Sequence, residues 1–240
     1  MLSLWPHSWI FPEPRVFISR SFEESMTCPL ILRLPATPAE IRASFDRLVP
    51  DTESVDRVGR SMAQQRRRRY ALLDVTPGRL PIARVSPVFT QRVDDFRNTS
   101  RRFAAMEPGV RDSRFLRRLV SEAVKRVSVA PGTCAWTVSV HQVRQIAWAG
   151  SPSDNAPEGV HRDGADVIVS AFVVARRNVR GGRSDVYAPD RKRIILNHTL
   201  EPDEGLLHED RQLWHDVTRV WSPSIGHRDL FGLDMTAVPC

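Results

Sequence analysis

The stretch Pro157-Glu158-Gly159-Val160-His161-Arg162-Asp163-Gly164 decides how the rest of this chain is read. On extended backbone, residues two apart point to the same side. His161 and Asp163 can therefore offer an imidazole and a carboxylate to one metal ion. A second imidazole stands much later, in Leu213-Trp214-His215-Asp216, and Arg228 follows it by thirteen positions. Two histidines and one carboxylate on one face leave the opposite face open, an arrangement that suits Fe(II) holding further ligands and O2. A lone His-x-Asp is common by chance. The reading rests on the order and spacing of all four residues and on the sequence around them.

Outward from that motif, PEGVHRDGADVIV (157–169) is followed by NVRGGRSDVY (178–187), LLHEDRQLWHDVTRV (206–220) and GHRDLFGLDM (226–235). This series resembles the bacterial 2-oxoglutarate/Fe(II) dioxygenases of the L-isoleucine 4-hydroxylase type. The resemblance reaches upstream to FDRLVPD (45–51), QRRRRYALLDV (65–75) and VHQVRQIA (140–147), and covers roughly residues 40 to 236. It implies a mainly β fold with flanking helices, a double-stranded β-helix of the jelly-roll, cupin-like kind, as one domain over 31–240. It further implies Fe(II) held by His161, Asp163 and His215, with 2-oxoglutarate and O2 as cosubstrates and succinate and CO2 as products. Arg228 would grip the remote carboxylate of 2-oxoglutarate with two parallel hydrogen bonds, as a planar guanidinium can. The substrate implied is a free L-amino acid with an aliphatic or thioether side chain, which the protein must hold against the oxidising centre.

Two positions depart from the pattern. Many 2-oxoglutarate enzymes place a Ser or Thr two residues after the arginine, and this chain has Leu230 there. A hydroxyl from elsewhere, Tyr187 or Thr218, would have to substitute. Asp216 follows the distal histidine where relatives carry small residues, and strand alternation points it away from the metal.

Other polar residues near the motif have two readings each. Arg144 and Gln142 share one side of a strand: if that side lines the mouth of the barrel, Arg144 binds a carboxylate, and otherwise it makes a salt bridge at an edge. Glu158 is either a contact for a substrate amine or a loop residue. His208 and His198 compete with His215 as distal ligand but lack the Trp-His then Arg spacing, and are read as surface or sheet residues. His227 faces the other way from Arg228. Besides hydroxylation of a free amino acid, the same residues would serve hydroxylation or desaturation of a carrier-bound or natural-product intermediate, or survive in a jelly roll that only binds. Asp163 argues against halogenation, because iron halogenases of this superfamily carry a small residue at that position.

Bulk properties are compatible. The 240 residues suffice for one sizeable core. No stretch approaches the ~18 apolar residues of a membrane helix. Net charge +7 and a pI near 10.3 raise the question of nucleic acid. However, the only lysines are Lys125 and Lys192, and no helix-turn-helix or zinc-finger pattern accompanies the arginines. The run Arg66 to Arg69 is read as a solvated strand edge with one or two inward arginines. The expected partner is therefore a small molecule, neither nucleic acid nor membrane, with a homodimer left open. Cys28, Cys134 and Cys240 are too scattered for a disulfide framework, which fits a reducing, cytoplasmic setting. Residues 1–30 are expected to be a loosely ordered extension, since Pro6, Pro12 and Pro14 interrupt its apolar residues; Met26 is a plausible start.

Local signals place the elements. Thr37-Pro38-Ala39-Glu40 reads as cap, first-turn proline and capping-box glutamate, opening a helix over 37–49 with Ile41, Phe45 and Leu48 on one face. A second helix is predicted over 113–127, capped by Ser113 and striped by Phe115, Leu116, Leu119, Val120 and Ala123. Beyond Gly132 the period becomes two: Trp136, Val138 and Val140 alternate with Thr137, Ser139 and His141. Further strands are predicted over 167–175, 184–187, 193–200, 214–220 and 230–235, with turns at Gly181-Gly182 and Pro189-Asp190.

Overall fold

The computed structural model describes residues 28–56, 59–84, 88–90, 100–127 and 132–240; most of the N-terminal extension expected over 1–30 lies outside them. Early short strands are β1 (Leu30–Arg33) and β2 (Val49–Pro50), then the long β3 (Arg66–Val75), with β4 (Ile82–Arg84), β5 (Val88–Thr90) and β6 (Ser100–Arg102) behind it. The later strands are β7 (Thr133–Trp148), β8 (Val167–Arg177), β9 (Arg180–Gly181), β10 (Arg183–Tyr187), β11 (Ile194–Thr199) and β12 (Glu204–Glu209). They continue as β13 (Trp214–Val217), β14 (Val220–Trp221) and β15 (Ile225–Pro239). Helices α1 (Ala39–Ser44), which runs on into a 3-10 turn over Phe45–Arg47, α2 (Pro108–Arg111) and α3 (Arg114–Lys125) complete the described elements.

The major sheet runs β1-β12-β8-β15-β7-β3-β2, with β4 added beside β3, and a smaller sheet runs β11-β10-β13. β15 lies at the centre, antiparallel to β7 along nearly its whole length and to β8 on the other side. The two sheets face each other across a core of Val143, Ala171, Val173, Val186, Leu206 and Leu230. This is the jelly roll expected.

The opposite face of the major sheet is covered by the helices. Ser113 caps α3 by accepting the Leu116 N–H at 3.1 Å, and the predicted stripe is buried against Val138, Val140, Phe172 and Phe231. Phe45 and Phe115 meet Phe231 edge-on or tilted at 5.4 and 6.0 Å. Each such side chain contributes about 1.5–3 kcal/mol by burial. Helix α1 differs from expectation at its start. Pro38 takes the cap position, Glu40 makes no capping box, and Thr37 gives both its N–H and its hydroxyl to Asp203, at 2.8 and 2.5 Å. A half-buried carboxylate from the β11–β12 connection outcompetes the local cap.

Three further differences have physical causes. β12 had no alternating signal because Gly205 to His208 are buried on both faces. β15 extends well beyond 230–235 at both ends because β7 supplies a partner for every residue. Cys134 and Cys240, 106 residues apart, form a disulfide with their Cα atoms 4.9 Å apart. The pairing of the β15 end with the β7 start brings them together, a proximity that sequence spacing does not reveal. Cysteine usage therefore no longer argues for a reducing compartment. No helix among the described residues is long and apolar enough to cross a membrane.

Candidate metal centre and cavity

The motif 157–164 enters through Gly159 and leaves through Gly164, whose φ values of 71° and 83° lie where side-chain-bearing residues rarely go. Between them His161 pairs with His215 at the start of β13. Each backbone N–H donates to the other's carbonyl at 2.9 Å, so the imidazoles project from directly opposed positions, their centroids 4.2 Å apart. Asp163 returns to the same side. Its carboxylate oxygens lie 3.6 Å from His161 Nε2 and 3.4 Å from His215 Nε2, and one ligand atom from each of the three residues falls within 4.8 Å of the others.

Neighbouring groups fix these side chains. His161 Nδ1 lies 2.7 Å from the Gly159 carbonyl, the geometry of a donated hydrogen bond that leaves Nε2 as a lone pair facing the other two residues. Asp210, which the sequence reading overlooked, accepts the backbone N–H groups of Asp163, Gly164 and Ala165 at 3.0, 2.7 and 3.2 Å. Burial, and then the neighbouring Asp163 charge, push its carboxyl up to about 7. Its only sequence signal was an acid next to His208 and Glu209, which says nothing about a loop 47 residues away. On the outer side, Trp214 is sandwiched between the guanidinium groups of Arg162 and Arg191, 3.9 and 3.8 Å from its ring.

A cavity of about 160 Å³ opens on the triad. Its apolar wall includes Val143, Val169 and Leu230; its polar wall includes Arg66, Arg68, Glu158 and His141. Glu158 Oε1 lies 3.2 Å from His161 Nε2. Alternation along β3 sends Arg66, Arg68 and Tyr70 inward, so the expected inward arginines are these two. Arg66 donates to the carbonyls of Asp154 and Asn155, and burial lowers its pKa to about 10. Arg68 pairs with Asp51 at 3.1 Å and lies over Phe103.

Arg144 and Gln142 are not brought to this cavity. They occupy the other face of β7, where Arg144 makes a bidentate pair with Asp229 at 2.7 and 2.8 Å and reaches Asp46 at 2.7 Å. Gln142 donates to Ser44 Oγ beneath α1. The bulk of the α1 turn closes that face, so the alternative salt-bridge reading of Arg144 is the one observed. His208 is wholly buried, with its ring 5.1 Å from that of His215, and burial holds it neutral with a pKa of about 4. His198 pairs with Glu204.

Arg228 is fully buried on the inner face of β15, two residues before Leu230. Its Nη1 reaches Gln145 Oε1 at 3.3 Å, while Nε and Nη2 are buried without a hydrogen-bond partner. Burial, and then Arg176, lower its pKa to about 9. Neither hydroxyl candidate is seen to serve Arg228: Thr218 Oγ1 accepts the Arg183 N–H, and Tyr187 does not line the cavity.

A jelly roll with two imidazoles and a carboxylate at one open end defines a mononuclear non-haem iron protein, and both the donor set and the fixed His161 tautomer fit that ion. Residues 42–234 match the 2OG-Fe dioxygenase family model, and the chain belongs to that family, whose members use Fe(II), 2-oxoglutarate and O2. No curated protein matches. Among solved structures, a bsmA homolog from Methylobium petroleophilum PM1 superposes with a TM-score of 0.69 at 22% identity, over 84% of this chain and 82% of that one. IDO from Bacillus thuringiensis gives 0.65 at 16% identity, over 82% and 80%. The Fe(II)/(alpha)ketoglutarate-dependent dioxygenase TqaL gives 0.57 at 13% identity, over 88% and 83%. At these identities the likeness is one of fold.

Proposed function

We propose that this dioxygenase hydroxylates a free L-amino acid with an aliphatic or thioether side chain. The observation that carries the reading is the make-up of the cavity at the triad: guanidinium groups of Arg66 and Arg68, the carboxylate of Glu158, and an apolar wall of Val143, Val169 and Leu230. A zwitterion needs one cation and one anion, and a hydrocarbon side chain needs the rest. The cationic role first expected of Arg144 passes to Arg68, with Arg66 behind it.

In this reading His161, Asp163 and His215 hold Fe(II), which with 2-oxoglutarate and O2 supplies the oxidising power and releases succinate and CO2. Gly159 and Asp210 keep the ligands oriented. Arg228 holds the far carboxylate of 2-oxoglutarate; its buried, unsatisfied N–H groups support this, because such donors otherwise cost free energy. Glu158 receives the substrate ammonium, and Arg68 its carboxylate.

The test is a panel of free amino acids with Fe(II), ascorbate and 2-oxoglutarate, read by mass for a gain of one oxygen and by succinate release. Arg68→Ala and Glu158→Ala are expected to raise KM for the amino acid more than KM for 2-oxoglutarate. The reading fails if no free amino acid stimulates succinate release while a carrier-bound or peptidyl substrate does.

A further inference from the structure

We propose that Arg176 is a second cation for the far carboxylate of 2-oxoglutarate, acting with Arg228 in place of the hydroxyl that Leu230 cannot supply. The inference rests on the assignment of Arg228 above and adds residues to it.

Register puts four side chains in one row across the major sheet. Arg66 on β3 lies opposite Gln145 on β7, Gln145 opposite Arg228 on β15, and Arg228 opposite Arg176 on β8. A bulge between Asp229 and Leu230 in the β15–β8 pairing sets this register, which keeps Arg176 level with Arg228 although the strand pair is irregular beyond it. The next row contains Val143 and Leu230, which line the cavity on the triad. Arg66, at one end of the arginine row, itself lines that cavity, so the row borders the cavity on the same inner face.

The groups in this row have donors to spare. Arg176 donates from Nη2 to the Gly181 carbonyl at 2.7 Å, and its Nη1 is buried without a partner. Arg228 Nε and Nη2 and Gln145 Nε2 are in the same condition. A carboxylate accepts about four hydrogen bonds, and these four nitrogens are the donors on offer. Ser184 adds a buried hydroxyl, also unpartnered, from the inner face of β10. Above the row, Gly182 has a φ of 67°, and a methyl group placed on it would touch both Arg176 Nη1 and Arg228 Cδ at 3.5 Å. The two arginines thus converge on the same stretch of backbone at Gly182.

Charge points the same way. Glu201 is the one carboxylate that acts on Arg176, and no ion pair joins them among the described residues. Two guanidinium groups side by side with no paired anion repel each other and are poorly solvated. A bound carboxylate removes both difficulties at once. Arg144, on the other face of the sheet, is by contrast matched by Asp229.

The experiment measures binding to the metal-loaded protein without O2, by calorimetry and by the visible absorbance of the metal–2-oxo-acid complex. Two ligands are compared: 2-oxoglutarate, and 2-oxobutyrate, which lacks the far carboxylate. Wild type is expected to prefer 2-oxoglutarate strongly. Arg176→Met should weaken 2-oxoglutarate roughly tenfold, the scale of one charge-assisted hydrogen bond, and leave 2-oxobutyrate unchanged; Arg176→Lys should fall between. Without ligand, Arg176→Met should melt no lower than wild type, because a like-charge contact has been removed. The proposal is overturned if Arg176→Met binds 2-oxoglutarate as wild type does. It is also overturned if the variant loses both ligands equally and melts lower, which would mark Arg176 as a brace for Gly181. Failure of wild type to distinguish the two acids would overturn the Arg228 assignment itself, a result visible before any variant is made.

Discussion

The two faces of β15 are made from alternate residues of one strand and have opposite characters. Phe231, Leu233 and Met235 point outward into an apolar layer with α1 and α3, and the one charge beside them on that face, Asp229, is matched by Arg144. Arg228, Leu230, Gly232 and Asp234 point inward, and three of these four positions line the cavity. β7 divides in the same way, with Val138 and Val140 on one side and His141, Val143 and Gln145 on the other. The outer face lowers the free energy of the fold and pairs the charge it buries, whereas the inner face buries Arg228 with no acid beside it, which burial opposes. The difference teaches where the molecule stores stability and where it has given stability up for binding.

Breaking the inner face at the metal should have the largest effect. His161→Ala or His215→Ala is expected to abolish turnover while circular dichroism and melting temperature stay near those of wild type. Full activity in either variant would undo the assignment, and retention of activity through His208 would show that the distal ligand was misidentified. On the outer face, Phe231→Ala should cost about 3–5 kcal/mol of unfolding free energy, measured by denaturant, with KM for 2-oxoglutarate unchanged. Arg228→Ala should do the reverse. It should raise KM for 2-oxoglutarate roughly 30-fold or more, from a binding loss of about 2–5 kcal/mol, without lowering stability; Arg228→Lys should recover part. If Arg228→Ala unfolds the protein as Phe231→Ala does, the two faces are not distinct in kind. The smallest effect is expected at Asp210, whose carboxylate orients the Asp163 loop. Asp210→Asn should weaken metal affinity about tenfold, read by titration with Fe(II), and a variant binding as tightly as wild type would remove Asp210 from the site.

Short-range features were legible in the sequence. The Ser113 cap and its stripe, the alternation from Trp136 to Val140, and the His161/Asp163 pair each depend on neighbours within a few residues, where backbone geometry dictates what shares a face. Features set by strand register were not. Nothing near Arg144 says that its side of β7 lies beneath α1, or near Arg176 that a bulge keeps it level with Arg228. The Cys134–Cys240 bridge and the Thr37–Asp203 contact likewise depend on segments distant in sequence. Family resemblance supplied the distal histidine and Arg228, which no local pattern singles out.

The mutual backbone bonds between His161 and His215 also bear on how the protein is loaded. Two of the three donors are positioned by ordinary sheet pairing before any ion arrives, so little chain ordering accompanies capture. The ion is then a passenger and not a fastener: a chelator should strip it rapidly and leave the barrel folded, and readdition should restore the centre at the speed of diffusion and desolvation, with no refolding phase.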